Sequence, residues 1–129
     1  MLQKTLHRLL LESLIAFLIE QNFLNEERFA LAFAGGKFRT KGWGIQKITR
    51  ELKHRKVSDY CINKAIQSIA AEDYQTRLKQ LAQKKWELLK EPLISVRRQK
   101  TVRFLVGKGY GMEESWAAVM KLDSTPTEL

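Results

Sequence analysis

The fold is decided by residues 45–69, which read IQKITRELKHRKVSDYCINKAIQSI. Ile48 and Leu52 belong to an apolar series with three- and four-residue steps, so they share one face of a helix. Lys47 and Arg50 fall on the opposite side of the same helix. The stretch therefore begins with an amphipathic helix whose outer face is basic.

A second helix follows after a short turn. Ser58 is a favourable N-cap residue because its side-chain oxygen can accept a hydrogen bond from a free backbone N–H of the first turn. Behind it, Ala65 and Ile66 continue an inward stripe that also includes Cys61 or Ile62. The stretch thus predicts two short helices joined by a tight turn.

The same pattern recurs 53 residues later in the chain. Apolar and turn positions coincide under this shift: Leu52 with Leu105, Val57 with Tyr110, Ser58 with Gly111, Ala65 with Ala118, and Ile66 with Val119. Basic positions coincide as well: Lys47 with Lys100, Arg50 with Arg103, and Arg55 with Lys108. A repeated helical unit is typical of proteins that stack similar modules along a line.

Helical patterns also fill the rest of the 129 residues. We predict further helices at about residues 3–22, 71–90 and 112–122. Another helix begins at an Asn25 N-cap and ends at the Gly42 and Gly44 pair, with Phe29, Phe33 and Phe38 facing inward. One more begins at a Ser95 cap and ends at Gly107 or Gly109. Only two prolines occur, and no segment alternates polar and apolar residues at period two. We therefore predict an all-α protein of tandem three-helix repeats stacked into an elongated, curved array.

The basic residues are concentrated in two blocks. Residues 37–56 hold 8 basic and 1 acidic residue, and residues 77–108 hold 10 and 2, within a chain of formal net charge +9. The three remaining segments are each net acidic. Such blocks indicate positive patches that face a polyanionic or acidic partner, although cations that only keep a helical protein soluble are the simpler alternative.

Several function classes are excluded by what the sequence lacks. One cysteine and two histidines provide neither a disulfide framework nor a zinc site, and no apolar run approaches the length of a membrane span. We find no phosphate-binding glycine loop and no nucleophile motif, so we expect no enzymatic activity and no cofactor. The lone thiol and the absence of a cleavable signal predict a cytoplasmic protein.

Several single residues that could take part in chemistry or base stacking have simpler structural explanations. His54 is expected to be an exposed histidine, and Cys61 an inert core residue. The rings of Trp116 and Tyr110 fit core packing better than base stacking. For Trp43 and Trp86, which lie beside basic residues, core packing and stacking on nucleic-acid bases both stay open.

A series of motifs in the chain resembles a known family. They are, in order, Asn25-Glu-Glu-Arg-Phe-Ala30, Lys41-Gly-Trp-Gly44 with Ile48, Glu51 and Leu52, the Val57-Ser58 turn, Arg103-Phe-Leu, and Lys108-Gly-Tyr110. Together they are similar to the RecX family of bacterial recombination regulators over roughly residues 18–122. Ile45 stands where the family often has proline.

The resemblance implies three stacked helix triplets, of which this chain keeps only the last helix of the first. The implied parts are 1–24, the last helix of an incomplete first repeat; 25–70, the second repeat; 71–122, the third repeat; and 123–129, a loose tail. It further implies a non-enzymatic modulator that binds RecA and lies in the groove of the RecA filament on single-stranded DNA. Such a protein limits recombination, DNA repair through RecA, and the SOS response, and contacts single-stranded DNA weakly or through the filament.

The repeated basic face supplies the candidate contact residues. The first group is Lys47, Arg50, Lys53, Arg55, Lys100, Arg103 and Lys108, and the second is Lys37, Arg39, Arg97 and Arg98. Arginine can pair with a carboxylate or phosphate through two hydrogen bonds, whereas lysine acts mainly as a point charge. We expect a monomer, with a dimer through residues 3–22 as the alternative if the first helix lacks cover.

Two other functions compete with filament binding. A direct DNA-binding helix-turn-helix protein would read bases through residues 45–56, but that helix offers few base-reading groups besides Gln46, Thr49 and Arg50. A helical scaffold that binds an acidic protein would use the same basic blocks without any role for DNA.

Overall fold

Six α-helices make up most of the chain in a computed structural model that describes residues 2–123, so all of the predicted tail except Asp123 lies outside the described residues. The helices are α1 (Leu2–Gly36), α2 (Ile45–His54), α3 (Asp59–Gln67), α4 (Ala71–Leu88), α5 (Ile94–Lys108) and α6 (Met112–Asp123), and a π-helical turn at Lys37–Lys41 extends α1. Residues 2–123 contain no strand. The all-α prediction is confirmed.

The helices form two three-helix bundles that share one core. In the N-terminal bundle, α3 packs against both α1 and α2, and in the C-terminal bundle α4, α5 and α6 all pack against one another. Buried residues recur at three- and four-residue steps, as an inward helix face requires. The core includes Ala30, Ala34, Ile48, Leu52, Leu78, Ala82, Leu105 and Val119. The tandem three-helix architecture is confirmed.

Backbone hydrogen bonds repeat at the 53-residue shift. The N–H of Val57 donates to the carbonyl of Leu52 at 3.1 Å, and the N–H of Tyr110 donates to the carbonyl of Leu105 at the same distance. Bonds of this type close the last turn of a helix. The ends of α2 and α5 therefore have the same backbone geometry, as the repeat predicts.

The two equivalent turns differ at one position in the free-energy cost of its backbone conformation. Gly109 has φ of 109°, and its counterpart Lys56 adopts φ of 62°. Glycine enters this left-handed region freely, whereas a side chain makes it unfavourable. The first repeat thus keeps the turn at the expense of a strained lysine.

The first two predicted helices are one continuous helix. Asn25 was expected to cap a new helix, but it lies inside α1, because neither proline nor glycine interrupts the chain nearby. Gly35 and Gly36 were expected to mark either a close neighbour or fraying, and the helix does not fray. At Gly35 a β-carbon would lie 2.8 Å from a guanidinium nitrogen of Arg39, so that side chain is the close neighbour.

The N-terminal part of α1 projects from the bundles with its apolar side chains uncovered. Leu10 is 66% exposed and Leu14 is 53% exposed, whereas the sequence predicted that much of this helix is covered. Phe29, expected to point inward, is also exposed. α1 meets α3 from Phe23 onward, where its ring lies 5.6 Å from that of Tyr60, and the first buried residue of α1 is Ala30.

The predicted N-cap is confirmed for α3 and wrong for α5. The Ser58 hydroxyl accepts a hydrogen bond from the N–H of Cys61 at 3.4 Å, which confirms the predicted N-cap. The backbone N–H of Ser58 also donates to the carboxylate of Glu26, which ties α1 to the start of α3. The predicted Ser95 cap is wrong, because Leu93 occupies the N-cap position of α5 without a side-chain hydrogen bond.

Candidate functional site

The turn between the π-helical segment and α2 is held by the C-terminal bundle. Tyr110 donates its hydroxyl proton to the carbonyl of Gly42 at 3.0 Å, and the hydroxyl oxygen of Tyr74 accepts from the N–H of Ile45 at 3.1 Å. Burial raises the pKa of both phenols, so they stay protonated at neutral pH. The two tyrosines thus fix the turn that carries Trp43.

Close backbone contact makes the two bundles one unit at this turn. The N–H of Gly44 donates to the carbonyl of Lys108 at 2.8 Å, and the N–H of Gln46 donates to that of Gly109 at 2.9 Å. The ammonium group of Lys108 donates back to the carbonyl of Lys41 at 3.1 Å. We call this contact between residues 41–46 and 108–110 the junction, and it fixes the start of α2 against the end of α5.

Three of the candidate cations gather on two aromatic rings beside the junction. Phe33 and Trp43 meet edge to face with their centroids 6.1 Å apart. Lys47 lies 4.5 Å from the Trp43 centroid, Lys37 lies 5.1 Å from it, and Arg55 lies 5.1 Å from the Phe33 centroid. Cation–π contact positions a charge without neutralising it. Within residues 2–123 no carboxylate forms an ion pair with these three cations, which with the two rings we call the Phe33–Trp43 cluster.

The remaining candidates of the first repeat lie close to this cluster in sequence. Arg50 and Lys53 extend from α2 and are exposed. Arg39 is exposed on the π-helical turn, next to Gly35. These side chains are accessible to a partner.

The candidates of the second repeat differ in their availability. Arg103 is exposed, and Arg98 is half-buried. Arg97 stacks 4.1 Å from the Trp86 centroid and donates two hydrogen bonds to the Trp86 carbonyl, so it holds the 89–93 loop. Lys100 forms an ion pair with Glu91. Lys100 occupies the position equivalent to Lys47, but its charge is paired with Glu91, whereas Lys47 forms no ion pair within residues 2–123.

A cleft between α4 and α5 contains cations outside the set of candidate contact residues. Its volume is about 320 Å³, and its lining residues are Lys41, Arg77, Leu81, Lys84, Lys85, Leu88, Phe104 and Lys108. Of these, only Lys108 was a candidate. The four-residue steps from Arg77 through Leu81 to Lys85 are the signal in the sequence that could have indicated this face of α4.

The structure shows no arrangement suited to metal or thiol chemistry in its described part. His54 is exposed and Cys61 is a buried free thiol, as predicted. No three His, Cys, Asp or Glu side chains among residues 2–123 are grouped so as to hold a metal ion. Of the helices described, none combines the length and the apolar character of a membrane span.

Comparison with known proteins agrees with this architecture. Residues 25–66 match the family model described as RecX, second three-helix domain, and residues 72–119 match RecX, third three-helix domain. No solved structure matches the chain significantly.

Curated relatives extend the match over most of the chain. A protein of Serratia proteamaculans named Regulatory protein RecX is 32% identical over 105 residues, which is 81% of this chain and 60% of the relative. A protein of Clostridium perfringens with the same name is 33% identical over 101 residues, which is 77% of this chain and 47% of the relative. The chain therefore spans about half to three fifths of the length of these relatives. With two family domains matched in order and the residues of the resemblance distributed across both bundles, the chain belongs to the RecX family.

Proposed function

We propose that this chain regulates RecA by binding to it and to its filament on single-stranded DNA. Family membership supports a role in RecA regulation, since the relatives are named regulatory proteins RecX. The observation that carries the proposal is the junction, where Lys47 of the first repeat and Lys108 of the second adjoin one turn. A rigid junction holds these cations at fixed separations, as binding to a regular filament requires.

The proposed mechanism is stoichiometric occupancy of the filament groove without catalysis. Arg50, Lys53 and Arg103 would interact with acidic protein surfaces or phosphates, and the Phe33–Trp43 cluster would add positioned cations. Because a bound chain would bridge neighbouring protomers, it would limit filament growth and so reduce recombination, RecA-dependent repair and the SOS response. A cytoplasmic location is part of this proposal.

The test measures RecA ATPase and strand exchange on single-stranded DNA with and without this protein. We expect the protein to inhibit both reactions. The variant Lys47→Glu, Arg50→Glu, Lys100→Glu, Arg103→Glu should retain the helical circular dichroism signal and lose the inhibition. Because Lys100 already pairs with Glu91, the triple variant that keeps Lys100 should lose almost as much.

A matched control separates a specific surface from net charge. Reversal to Glu of four exposed cations elsewhere, Lys4, Arg28, Lys79 and Lys90, changes the net charge by the same amount. This control should still inhibit RecA. Equal inhibition by the unmodified protein and the quadruple variant, or equal loss in the control, would refute the proposed surface.

The structure weighs against the helix-turn-helix alternative. A recognition helix inserts its N-terminal residues into the major groove. Here the backbone at the start of α2 is engaged by the C-terminal bundle, because Gly44 is buried and the N–H of Gln46 bonds to the carbonyl of Gly109, although the Gln46 side chain is exposed. A DNA-sequence preference of the bare protein, lost on Gln46→Ala, would favour that alternative over RecA binding.

A further inference from the structure

The cleft between α4 and α5 has an unusual combination of linings. Its cations are Lys41, Arg77, Lys84, Lys85 and Lys108, and its apolar residues are Leu81, Leu88 and Phe104, with no acidic residue among the lining residues that the structure describes. The apolar chains form a strip that α4 and α5 both contribute. The cleft is therefore an apolar strip bordered by uncompensated positive charge.

Two cations of the cleft lie over the same aromatic ring. Lys85 lies 5.0 Å and Lys108 5.8 Å from the centroid of the same Phe104 ring. Arg77 is half-buried and lines the same cleft. Like charges gathered at one cleft repel one another. An anion in the cleft would relieve this repulsion.

The geometry favours a polyanion over a single small anion. Arg77 and Lys84 are seven residues apart on α4, which is about 10 Å along the helix axis. Four of the five cations are lysines, which bind phosphate as point charges, and Arg77 can pair with a phosphate through two hydrogen bonds. The apolar strip with Phe104 suits the sugar and base faces of nucleotides.

We propose that the α4–α5 cleft binds the phosphodiester backbone of single-stranded nucleic acid. The phosphates would contact the lysines at the rim, and a sugar or base would lie against Leu81 and Phe104. This inference goes beyond RecA regulation, because it requires no RecA, and of the cations named for RecA binding the cleft contains only Lys108.

The experiment measures binding of a fluorescein-labelled oligothymidylate of about a dozen nucleotides by anisotropy across a range of salt concentrations. The logarithm of the affinity should fall linearly with the logarithm of salt concentration, by about 0.7 per neutralised phosphate on single strands. Substitution of the two exposed rim residues, Lys41→Gln with Lys84→Gln, should make this slope shallower by about 1.4.

The matched control removes two cations of similar exposure outside the cleft. Lys79 lies on α4 away from the cleft and Lys90 follows the end of α4, so Lys79→Gln with Lys90→Gln should leave the slope unchanged. An identical slope for the rim variant and the unmodified protein would overturn the proposal.

Competition distinguishes nucleic acid from other anions. Unlabelled oligothymidylate should displace the probe, whereas free nucleoside triphosphate and poly-glutamate at equal charge concentration should displace it poorly. Full displacement by triphosphate would indicate a mononucleotide site, and full displacement by poly-glutamate an acidic protein partner; either would overturn the proposal. The variant that tests RecA inhibition, Lys47→Glu with its three companions, leaves all eight lining residues intact, so the two proposals can fail separately.

Discussion

Adding a single methyl group at Gly44 should separate the two bundles. A β-carbon there would lie 2.4 Å from the carbonyl carbon of Gly109, 2.5 Å from its oxygen and 2.6 Å from the nitrogen of Tyr110. All three are backbone atoms, so no flexible side chain can move aside. Gly44→Ala must therefore displace the start of α2 from the end of α5.

The expected cost follows from the contacts that move. Overpacking of a tight site costs about 1–3 kcal/mol. The displacement also weakens the bonds from the N–H groups of Gly44 and Gln46 to the carbonyls of Lys108 and Gly109, which contribute about 1 kcal/mol each. We expect Gly44→Ala to lower the free energy of unfolding by about 3–5 kcal/mol, a large share of the stability of a typical domain.

Urea unfolding followed by circular dichroism measures this change. For a denaturant slope of about 2 kcal/mol per molar, the midpoint should fall by roughly 2 M. The control is Gly107→Ala, because a β-carbon at Gly107 in α5 meets no atom of residues 2–123 within 4 Å and alanine favours a helix by about 1 kcal/mol. A Gly44→Ala midpoint within experimental error of the unmodified protein would show that the bundles are not in contact at Gly44.

Other parts of the fold give further tests. Lys56→Gly should raise the free energy of unfolding by about 0.5–1 kcal/mol, because glycine relieves the left-handed backbone; a lower thermal midpoint would contradict this. Tyr110→Phe should cost about 1–2 kcal/mol in urea unfolding, since it leaves the carbonyl of Gly42 without its donor, and no loss would mean that this bond is dispensable. Burial raises the pKa of Tyr74 and Tyr110 above the ordinary 10.0, so the unfolded chain releases these protons first. Stability should thus be full below about pH 10 and fall as the pH rises above it, and urea midpoints that stay constant up to about pH 11 would contradict the buried phenols. The uncovered apolar residues of α1 predict self-association that Leu14→Glu abolishes, and sedimentation velocity would refute this if the unmodified protein stays monomeric at every concentration.

The sequence was most informative where a pattern depends on local periodicity. The inward positions Ile48, Leu52 and Leu105 are buried as predicted, because three- and four-residue spacing directly encodes one helix face. The Ser58 cap was predictable for the same local reason. The predicted helix start at Asn25 was wrong, since a favourable capping residue does not end a helix that has no other reason to stop.

The candidate site was only partly predictable, because it depends on contacts between distant segments. Nothing local indicates that Glu91 pairs with Lys100, or that Arg97 bonds to the carbonyl of Trp86; both depend on how residues 89–93 turn. For Trp43 the sequence allows both core packing and base stacking. In the structure its ring is half-buried, and two lysines lie over it. Equivalent positions in a repeat therefore predict where a side chain lies better than they predict whether its charge is unpaired.

The distribution of free charge also determines how the two cationic regions relate. Lys108 bonds to the carbonyl of Lys41 at the junction and also lines the α4–α5 cleft, so one residue adjoins both regions. The Phe33–Trp43 cluster contacts the junction through Trp43 and Lys47. Because the tyrosines and the close approach of Gly44 to Gly109 fix this junction, the two cationic regions cannot move independently. A partner that engages one of them therefore meets the other in a constant orientation, which a flexible basic chain of equal charge could not provide.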